Sequence, residues 1–422
     1  MNWSSLGIKP ATFFIPKKAD HFPCWACVAC DQYTSQPEYW QRVDERVEAE
    51  PSTLRMILPE CFLDQAEERI PKIHQTMKDY IENGILTTCV QNGMILTART
   101  TQSGTRIGLV LAVDLECYDY RKGAVSLIRA TEKTIESRLP ARMKVRRGAM
   151  LETAHVLMLC NDADHTVIEP IWQIRESLKP VYDFELMEDG GHLSGWAVDD
   201  EGTLKKIFNS LNDLRLHGGE HPFLFAVGDG NHSLASAKAY WEEKKTQLNE
   251  EECLSHPARY AMVELENIHD PALRFEPIHR VVFHCSTEAL QTDFSEWLKQ
   301  NKMAEEKEKS TQTQEITFVT ATAEKHYHIA NSPFGISVAT LQNFLDEWLP
   351  AHSQSKLDYV HGTEAIKQLT QQSDTVGILL PKPDGGSLFD GVIKNGCLPR
   401  KTFSLGEANE KRFYMECRMI ER

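Results

Sequence analysis

Apolar residues recur at helical spacing twice in the first ninety positions. In "EYWQRVDERVEAE" Trp40, Val43 and Val47 share a face, and in "DQAEERIPKIHQTMKDYIENG" Ile70, Ile73, Met77 and Tyr80/Ile81 do the same before Gly84 stops the run. The pattern then changes to the short apolar runs of strands, "MILTART" and "RIGLVLAVDL", joined by the turn "TQSGT". "AHVLMLC" and "FLFAV" have the length of buried strands, and the charged stretch "WEEKKTQLNEEEC" predicts a solvated helix end or loop. "TEALQTDFSEWLKQNK" returns to helix through Leu290, Phe294 and Trp297/Leu298. The polar run "MAEEKEKSTQTQ" predicts a flexible loop or linker, "EITFVTATAEKHYHIA" strand, and Val338, Leu341, Leu345 and Trp348 a further helix. No internal repeat is visible. The expected fold is mixed α/β (α+β), with an N-terminal mixed region at 1–160, a central region at 161–302 and a C-terminal α/β region at 303–422.

One junction stands apart from this alternation. In "FLFAVGDGNHSLASAKAYW", residues 223–241, a buried strand runs into two glycines, an aspartate, an asparagine and a histidine before helical spacing resumes. The first amides of a helix have no partner within it and suit an anion. Gly228 and Gly230 permit tight backbone angles and close approach of a ligand, while Asp229 and His232 place an acid and an imidazole beside it. The bland reading is a helix cap, with Asp229 or Asn231 accepting first-turn amides.

Three other segments carry candidate chemistry. "LRFEPIHRVV" sets His279 and Arg280 at a presumed strand edge, where Arg supplies a bidentate fork and His a proton or donor for phosphate; the alternative is a surface turn. "IRATEKTIESRLPARMKVRRG" gathers Arg129, Arg138, Arg142, Lys144, Arg146 and Arg147 around Glu132, either a field for a compact polyanion or a solvated face. "LPRKTFSLGEANEKRFYMECR" offers Lys401, Ser404 and Gly406, either to close over a ligand or to dock as a terminal strand.

Composition narrows the classes. The chain has 422 residues, 41% hydrophobic and 25% charged, as for a soluble globular protein. A formal net charge of −15 argues against a nucleic-acid partner, and no apolar run has membrane-span length. The start "MNWSSLGIKPATFF" lacks signal-peptide features, so the eleven cysteines are expected to be reduced in a cytoplasm. Cys24, Cys27 and Cys30 in "PCWACVACDQY" have metal-like spacing, but the other cysteines are scattered singly. They read as structural, and no protein metal site is expected.

The motifs "WACVACDQYTSQPEYW", "PSTLRMILPE", "IRATEKT", "GDGNHSLASAK", "FEPIHRVV" and "LPRKTFSLGEANEKR", in this order, resemble the bacterial and archaeal domain-of-unknown-function family numbered ten-fifteen over essentially the whole chain. The glycine–histidine segment resembles the phosphate-binding turn of the ParB/sulfiredoxin-like superfamily, which includes nucleotide-binding partition proteins, sulfiredoxins and kinases of free serine. The resemblance implies a ParB/sulfiredoxin-like core with additional mixed sheet–helix domains, and Asp229, Gly230 and His232 in the matching positions. Those relatives commonly read Asp-Gly-His-His-Arg; here Asn231 and Ser233 replace the first histidine and the arginine, so the anion needs another cation. Arg280, Arg129 or Lys401 could supply it.

The function implied is a phosphotransferase with an alcohol group as acceptor, free L-serine first, and a nucleotide (ATP or ADP) or pyrophosphate as donor. Backbone amides at Gly230–His232 would hold the phosphoryl group with Gly228, Asn231, Arg129, Arg280 and Lys401 around it, and magnesium would offset charge. Asp229 and Glu132 are candidates for base or metal contact, and His232 and His279 for proton relay. No Walker or protein-kinase signature is present. The alternative is a nucleotide-binding sensor of the ParB-like type without kinase activity; a nuclease fits the charge least. The partner expected is a small-molecule substrate, with neither nucleic acid nor membrane.

Overall fold

The computed structural model describes residues 1–34, 36–136, 139–153, 156–382, 385–399 and 401–421. It is mixed α/β, as the patterning predicts. The chain forms two compact units: residues 1–130, 134–274 and 406–422 make the first, and 131–133 with 275–405 the second. The sequence segment 1–160 falls in the first unit apart from 131–133. The segment 161–302 passes into the second at 275, and 303–422 returns to the first at 406.

Thirteen strands among the described residues build the sheet of the first unit. Along its main path Ile128–Ala130 lies parallel to Phe225–Asp229, which is antiparallel to Val156–Cys160. That strand runs parallel to Tyr260–Asn267, followed by antiparallel Gly104–Asp114 and Leu86–Thr101. One face is apolar throughout: Leu96, Leu109, Leu111, Val263, Leu265, Phe225 and Val227 pack there against Leu234, Tyr240 and Trp241. The other face begins apolar, with Ile95, Val110 and Met262, and then turns polar. On the same strands, two residues on, stand Thr97, Arg99, Gly108, Arg106, Glu264 and Glu266. Thr97 pairs with Gly108, and Gly108 with Glu266.

In the second unit seven strands among the described residues form the sheet, in the order 304–306, 324–330, 314–319, 375–379, 275–283, 356–361, with 403–405 also paired to 275–277. The helices Thr287–Gln300 and Ser337–Ala351 bury Leu290, Phe294, Leu341, Phe344 and Leu345 against it. The rings of Phe294 and Phe344 are 4.9 Å apart, edge to face.

Most expected elements are present. Helices span Pro37–Val47 and Ala66–Glu82, the latter followed by Gly84 at φ 64°, and the strands Leu86–Thr101 and Gly104–Asp114 form a hairpin. Two expectations need correction. The run 303–314 includes a strand, Ala304–Glu306, paired with 328–330. It is an edge strand whose side chains are half-buried or exposed, so its pattern is polar although its backbone is paired. "PIHR" lies in a central strand, with 356–361 on one side and 375–379 on the other, so it is not a strand edge.

Cys24, Cys27 and Cys30 have separate partners. The Cys24 thiol faces the Arg46 carbonyl at 3.8 Å, Cys27 is buried on the Thr53 hydroxyl at 3.2 Å, and the Cys30 amide donates to Tyr414 Oη at 3.1 Å. Burial pushes the Cys27 thiol up to about 12, with the Thr53 hydrogen bond opposing it.

Gly108 makes room for the polar face. A Cβ there would sit 2.9 Å from both Cγ and Oε1 of Glu264 and 3.1 Å from the Leu265 carbonyl. Gly108→Ala is therefore expected to destabilise the first unit by about 1–3 kcal/mol, the scale of an overpacked interior. Urea unfolding with an unchanged midpoint would refute this account.

Candidate functional site

The strand Phe225–Asp229 ends in a bulge, because its pairing with Leu157 and Met158 shifts between Val227 and Asp229 and leaves Gly228 between. Gly230 follows at φ 82°, ψ 28°, and the helix Asn231–Lys245 begins at once. The expected turn over 228–232 is thus tighter than its sequence suggests: one left-handed residue makes it, and His232 already belongs to the first helical turn. Glycine brings no capping side chain, and none caps this helix from the N-cap position. Asp229 Oδ1 instead accepts the Gly230 amide at 2.9 Å.

Asp229 Oδ2 lies 3.3 Å from Lys411 Nζ, and the Lys411 side chain is only 12% exposed. Lys411 sits in "EANEKR", within the C-terminal segment that also holds Lys401. Its one sequence signal is membership in the motif "LPRKTFSLGEANEKR", beside Lys401, Ser404 and Gly406. His232 Nε2 accepts the Ile135 amide at 3.2 Å, which leaves that nitrogen unprotonated and ties Ile135 to the helix start. The strand Phe225–Asp229, parallel to Ile128–Ala130, sends its carboxyl end into the glycine–histidine turn, the usual location of a ligand crevice in parallel sheets.

Arg129 is not brought to this turn. Its Nε donates to the Ser126 carbonyl at 2.8 Å and Nη2 to the His221 carbonyl at 3.0 Å, with the Phe223 ring 4.7 Å beneath. Those residues precede the two strands, so the guanidinium points to the opposite strand end from Asp229. Burial lowers its pKa. Four further basic residues of the window are paired with carboxylates: Arg142 with Glu60, Lys144 with Glu67, Arg146 with Glu152 and Arg147 with Glu243. These four do not make an open cationic field. Arg138 lies outside the described residues.

The second unit gathers Glu132, Arg280 and Lys401. Glu132 Oε1 accepts the Lys401 amide at 3.1 Å, and the Leu398 amide donates to the Thr131 carbonyl at 2.7 Å. Lys401 has φ 57°, a strained value for a residue with a Cβ, and its side chain is exposed. Its carbonyl accepts from Arg280 Nη1 at 2.8 Å. Arg280 is fully buried; it also donates to the Ile278 carbonyl and approaches Gln342 Oε1 at 3.3 Å, over the Tyr359 ring. It works here as a clamp on the loop around Lys401. His279 Nδ1 accepts the Leu380 amide at 3.1 Å. Burial pulls its pKa down to about 4, with His361 and Arg280 adding to the shift, so the ring is neutral at pH 7. Ser404 lies in the docked strand Phe403–Leu405.

Behind Lys411 lies the polar face of the first sheet. Arg412 Nε is 2.8 Å from Glu264 Oε2, and Arg412 Nη2 donates to Glu416 Oε2 at 2.7 Å. Thr97 and Tyr182 donate to Glu264 and Glu416. Arg106 Nε is 2.6 Å from Glu266 Oε1, a close ion pair without hydrogen-bond alignment. Burial alone would raise the carboxyl of Glu264, but Arg412, Arg106, the Thr97 hydroxyl and Arg99 together hold it below the ordinary range. For Glu266 burial wins over Arg106, and Glu264 and Asp270 push the same way, so its carboxyl is raised.

Among the described residues no three or more His, Cys, Asp or Glu side chains are grouped to hold a metal, and no helix is long and apolar enough to cross a membrane.

The fold and turn define a mixed α/β protein whose polar strand-to-helix junction meets a cation from near the chain's end. The chain belongs to the family described as protein of unknown function (DUF1015), whose model matches residues 8–349. No curated protein matches the chain. A solved free serine kinase in complex with AMP is similar at 10% identity and a TM-score of 0.37, covering 72% of this chain and 90% of that one. A conserved hypothetical protein from Pyrococcus furiosus has 10% identity and a TM-score of 0.35, over 74% and 95%. SbnI with a C-terminal truncation, from Staphylococcus aureus, has 11% identity and a TM-score of 0.33, over 70% and 83%.

If Arg280 is a buried clamp, Arg280→Ala leaves carbonyl acceptors without donors and is expected to cost about 1–3 kcal/mol or more. Thermal unfolding that is indistinguishable from wild type would show that the clamp carries no stability.

Proposed function

We propose that the protein is a phosphotransferase that moves a phosphoryl group onto the hydroxyl of a small metabolite, with free L-serine as the acceptor implied by the resemblance of its turn. One observation carries the reading. A carboxylate at a strand end, a left-handed glycine and a helix N-terminus follow in three successive residues, with an ammonium 3.3 Å from the carboxylate. Helix amides and Lys411 supply the positive side of a phosphate cradle, and Asp229 supplies an acceptor beside it. Lys411 takes the part left open by Ser233.

In this reading the first-turn amides and Lys411 hold the donor's transferred phosphoryl group. The acceptor oxygen bonds to phosphorus as the bond to the leaving nucleoside phosphate, or to inorganic phosphate if pyrophosphate is the donor, breaks. The hydroxyl proton passes to the Asp229 carboxylate. His232 orients the site, because its Nε2 is engaged by the Ile135 amide. Magnesium keeps water and substrate phosphates as ligands, so it would enter with the donor and offset its charge, leaving the Asp229 carboxylate to take the proton. Glu132 and Lys401, joined to each other through the Lys401 amide, are assigned no step.

Purified protein with magnesium, L-serine and ATP, ADP or pyrophosphate is expected to yield phosphoserine, read by phosphorus NMR. Asp229→Asn should lower turnover by ~10²-fold or more, the scale for losing a proton acceptor, while donor binding persists. Donor binding with no phosphorylated product from any small hydroxyl acceptor would overturn the reading in favour of a nucleotide sensor. Full turnover in Asp229→Asn would remove that residue from the chemistry.

A further inference from the structure

The segment carrying Lys411 has little regular structure of its own. Ala408–Glu410 is one 3-10 turn, closed by mutual capping of Glu407 and Glu410, and Phe413–Tyr414 is a two-residue strand. Its position comes from the polar face beneath it. Arg99 Nη2 donates to the Asn409 carbonyl at 2.9 Å, Nη1 to the Lys411 carbonyl at 3.5 Å, and Nε to the Gly190 carbonyl at 2.6 Å. The same guanidinium stacks 4.6 Å over the Phe413 ring. Arg106 Nη1 donates to the Glu410 carbonyl at 3.3 Å. The carbonyls of three consecutive residues, 409 to 411, thus meet guanidinium groups from two neighbouring strands.

Arg99 differs from the other charges of this layer. Arg106 and Arg412 are paired with Glu266 and Glu264, whereas the named contacts of Arg99 are backbone carbonyls and a ring. A planar fork aims its donors in fixed, separate directions at carbonyls of separate segments, whereas a lysine offers its donors from a single point. A lysine ammonium moves on a flexible four-carbon stem, so where Lys411 Nζ can rest depends on where its backbone is fixed.

We propose that Arg99 is a positioning residue for the phosphate cradle: by holding the Asn409 and Lys411 carbonyls it sets the Lys411 ammonium against Asp229 without touching the ligand. This rests on the reading of Lys411 as the cradle's cation. A misplaced Lys411 weakens the hold on the donor, while a partly unfolded population lowers apparent turnover and leaves KM unchanged. The two are separable.

The test compares wild type, Arg99→Met, Lys411→Met and the double variant as full chains. Acylation of lysines by a limiting amine-reactive ester is mapped by mass spectrometry, with exposed Lys205 as internal reference. Lys411 in wild type should react more slowly than Lys205. Arg99→Met should raise its relative rate about tenfold, the scale of one lost hydrogen bond. In turnover, Arg99→Met should raise KM for the phosphate donor about tenfold and change kcat less than about twofold, with no further rise when added to Lys411→Met. Unchanged Lys411 labelling in a folded Arg99→Met would overturn the proposal, as would additive effects in the double variant. If Arg99→Met does not fold, Arg99→Lys serves, because it keeps the charge but loses the fork; intermediate labelling supports the proposal and wild-type labelling overturns it. Labelling needs no turnover. A wild type that makes no phosphoserine therefore removes the kinase reading, and the Lys411 rates still decide the role of Arg99.

Discussion

The contact between Glu264 and Arg412 governs the first unit. Both side chains are 3% exposed, so two charges have been taken out of water at a cost of several kcal/mol each. One pair does not return that cost without added hydrogen bonds, and the surroundings supply them. Thr97 donates to Glu264, Glu416 accepts from Arg412, and Tyr182 donates to Glu416. Gly108 keeps the space that the Glu264 carboxylate fills. Removing one partner of such a set costs about 3–5 kcal/mol, because the other charge is stranded. The consequence is topological: a strand from the middle of the chain and a residue ten from its end cannot separate, so the segment 406–422 belongs to a unit otherwise built from residues before 275.

The same contact explains how a lysine comes to the strand-to-helix turn. Glu264 pairs across the sheet with Leu157, and Leu157 with Asp229, so the two carboxylates stand on the same row with one strand between them. Lys411 and Arg412, adjacent in sequence, each answer one of them. Once Arg412 is seated on Glu264, the backbone of Lys411 is within reach of Asp229. The row across the sheet thus converts a stability element into a placement element, with Arg99 and Arg106 fixing the backbone just before Lys411.

How much of this was legible in the sequence depended on range. Helices whose apolar face repeats locally, such as Ala66–Glu82 and Ser337–Ala351, and the strand–glycine–helix junction at Asp229 could be read from neighbours in sequence. The edge strand Ala304–Glu306 could not, because an edge needs no apolar face to be paired. Arg280 resembled a phosphate ligand by type, yet its partners, the Ile278 and Lys401 carbonyls and Gln342, are spread over more than a hundred residues. Lys411 was hidden for the same reason. A lysine in a charged segment carries no mark of the aspartate it meets. The charged pattern of Glu264 and Glu266 within "YAMVELEN" was itself a clue, since alternating acids in a strand otherwise fully buried demand cations from elsewhere in the chain.

The two units use arginine in a parallel way. In the first, Arg99 holds the carbonyls of Asn409 and Lys411; in the second, Arg280 holds the carbonyl of Lys401, whose amide is taken by Glu132. In both, a buried guanidinium fixes the backbone of a lysine that lies in a segment with little regular structure. Carbonyl partners suit this task better than carboxylates would: they are weaker individually, but their geometry specifies a backbone and not merely a charge. For the Asp229 turn this matters because its cation does not come from the helix that supplies the amides. A cation on the helix would be positioned by the helix alone. A cation on a separate segment makes the cradle composite, so its affinity for an anion can be altered by residues that hold the segment while the strand, the glycine and the helix stay as they are.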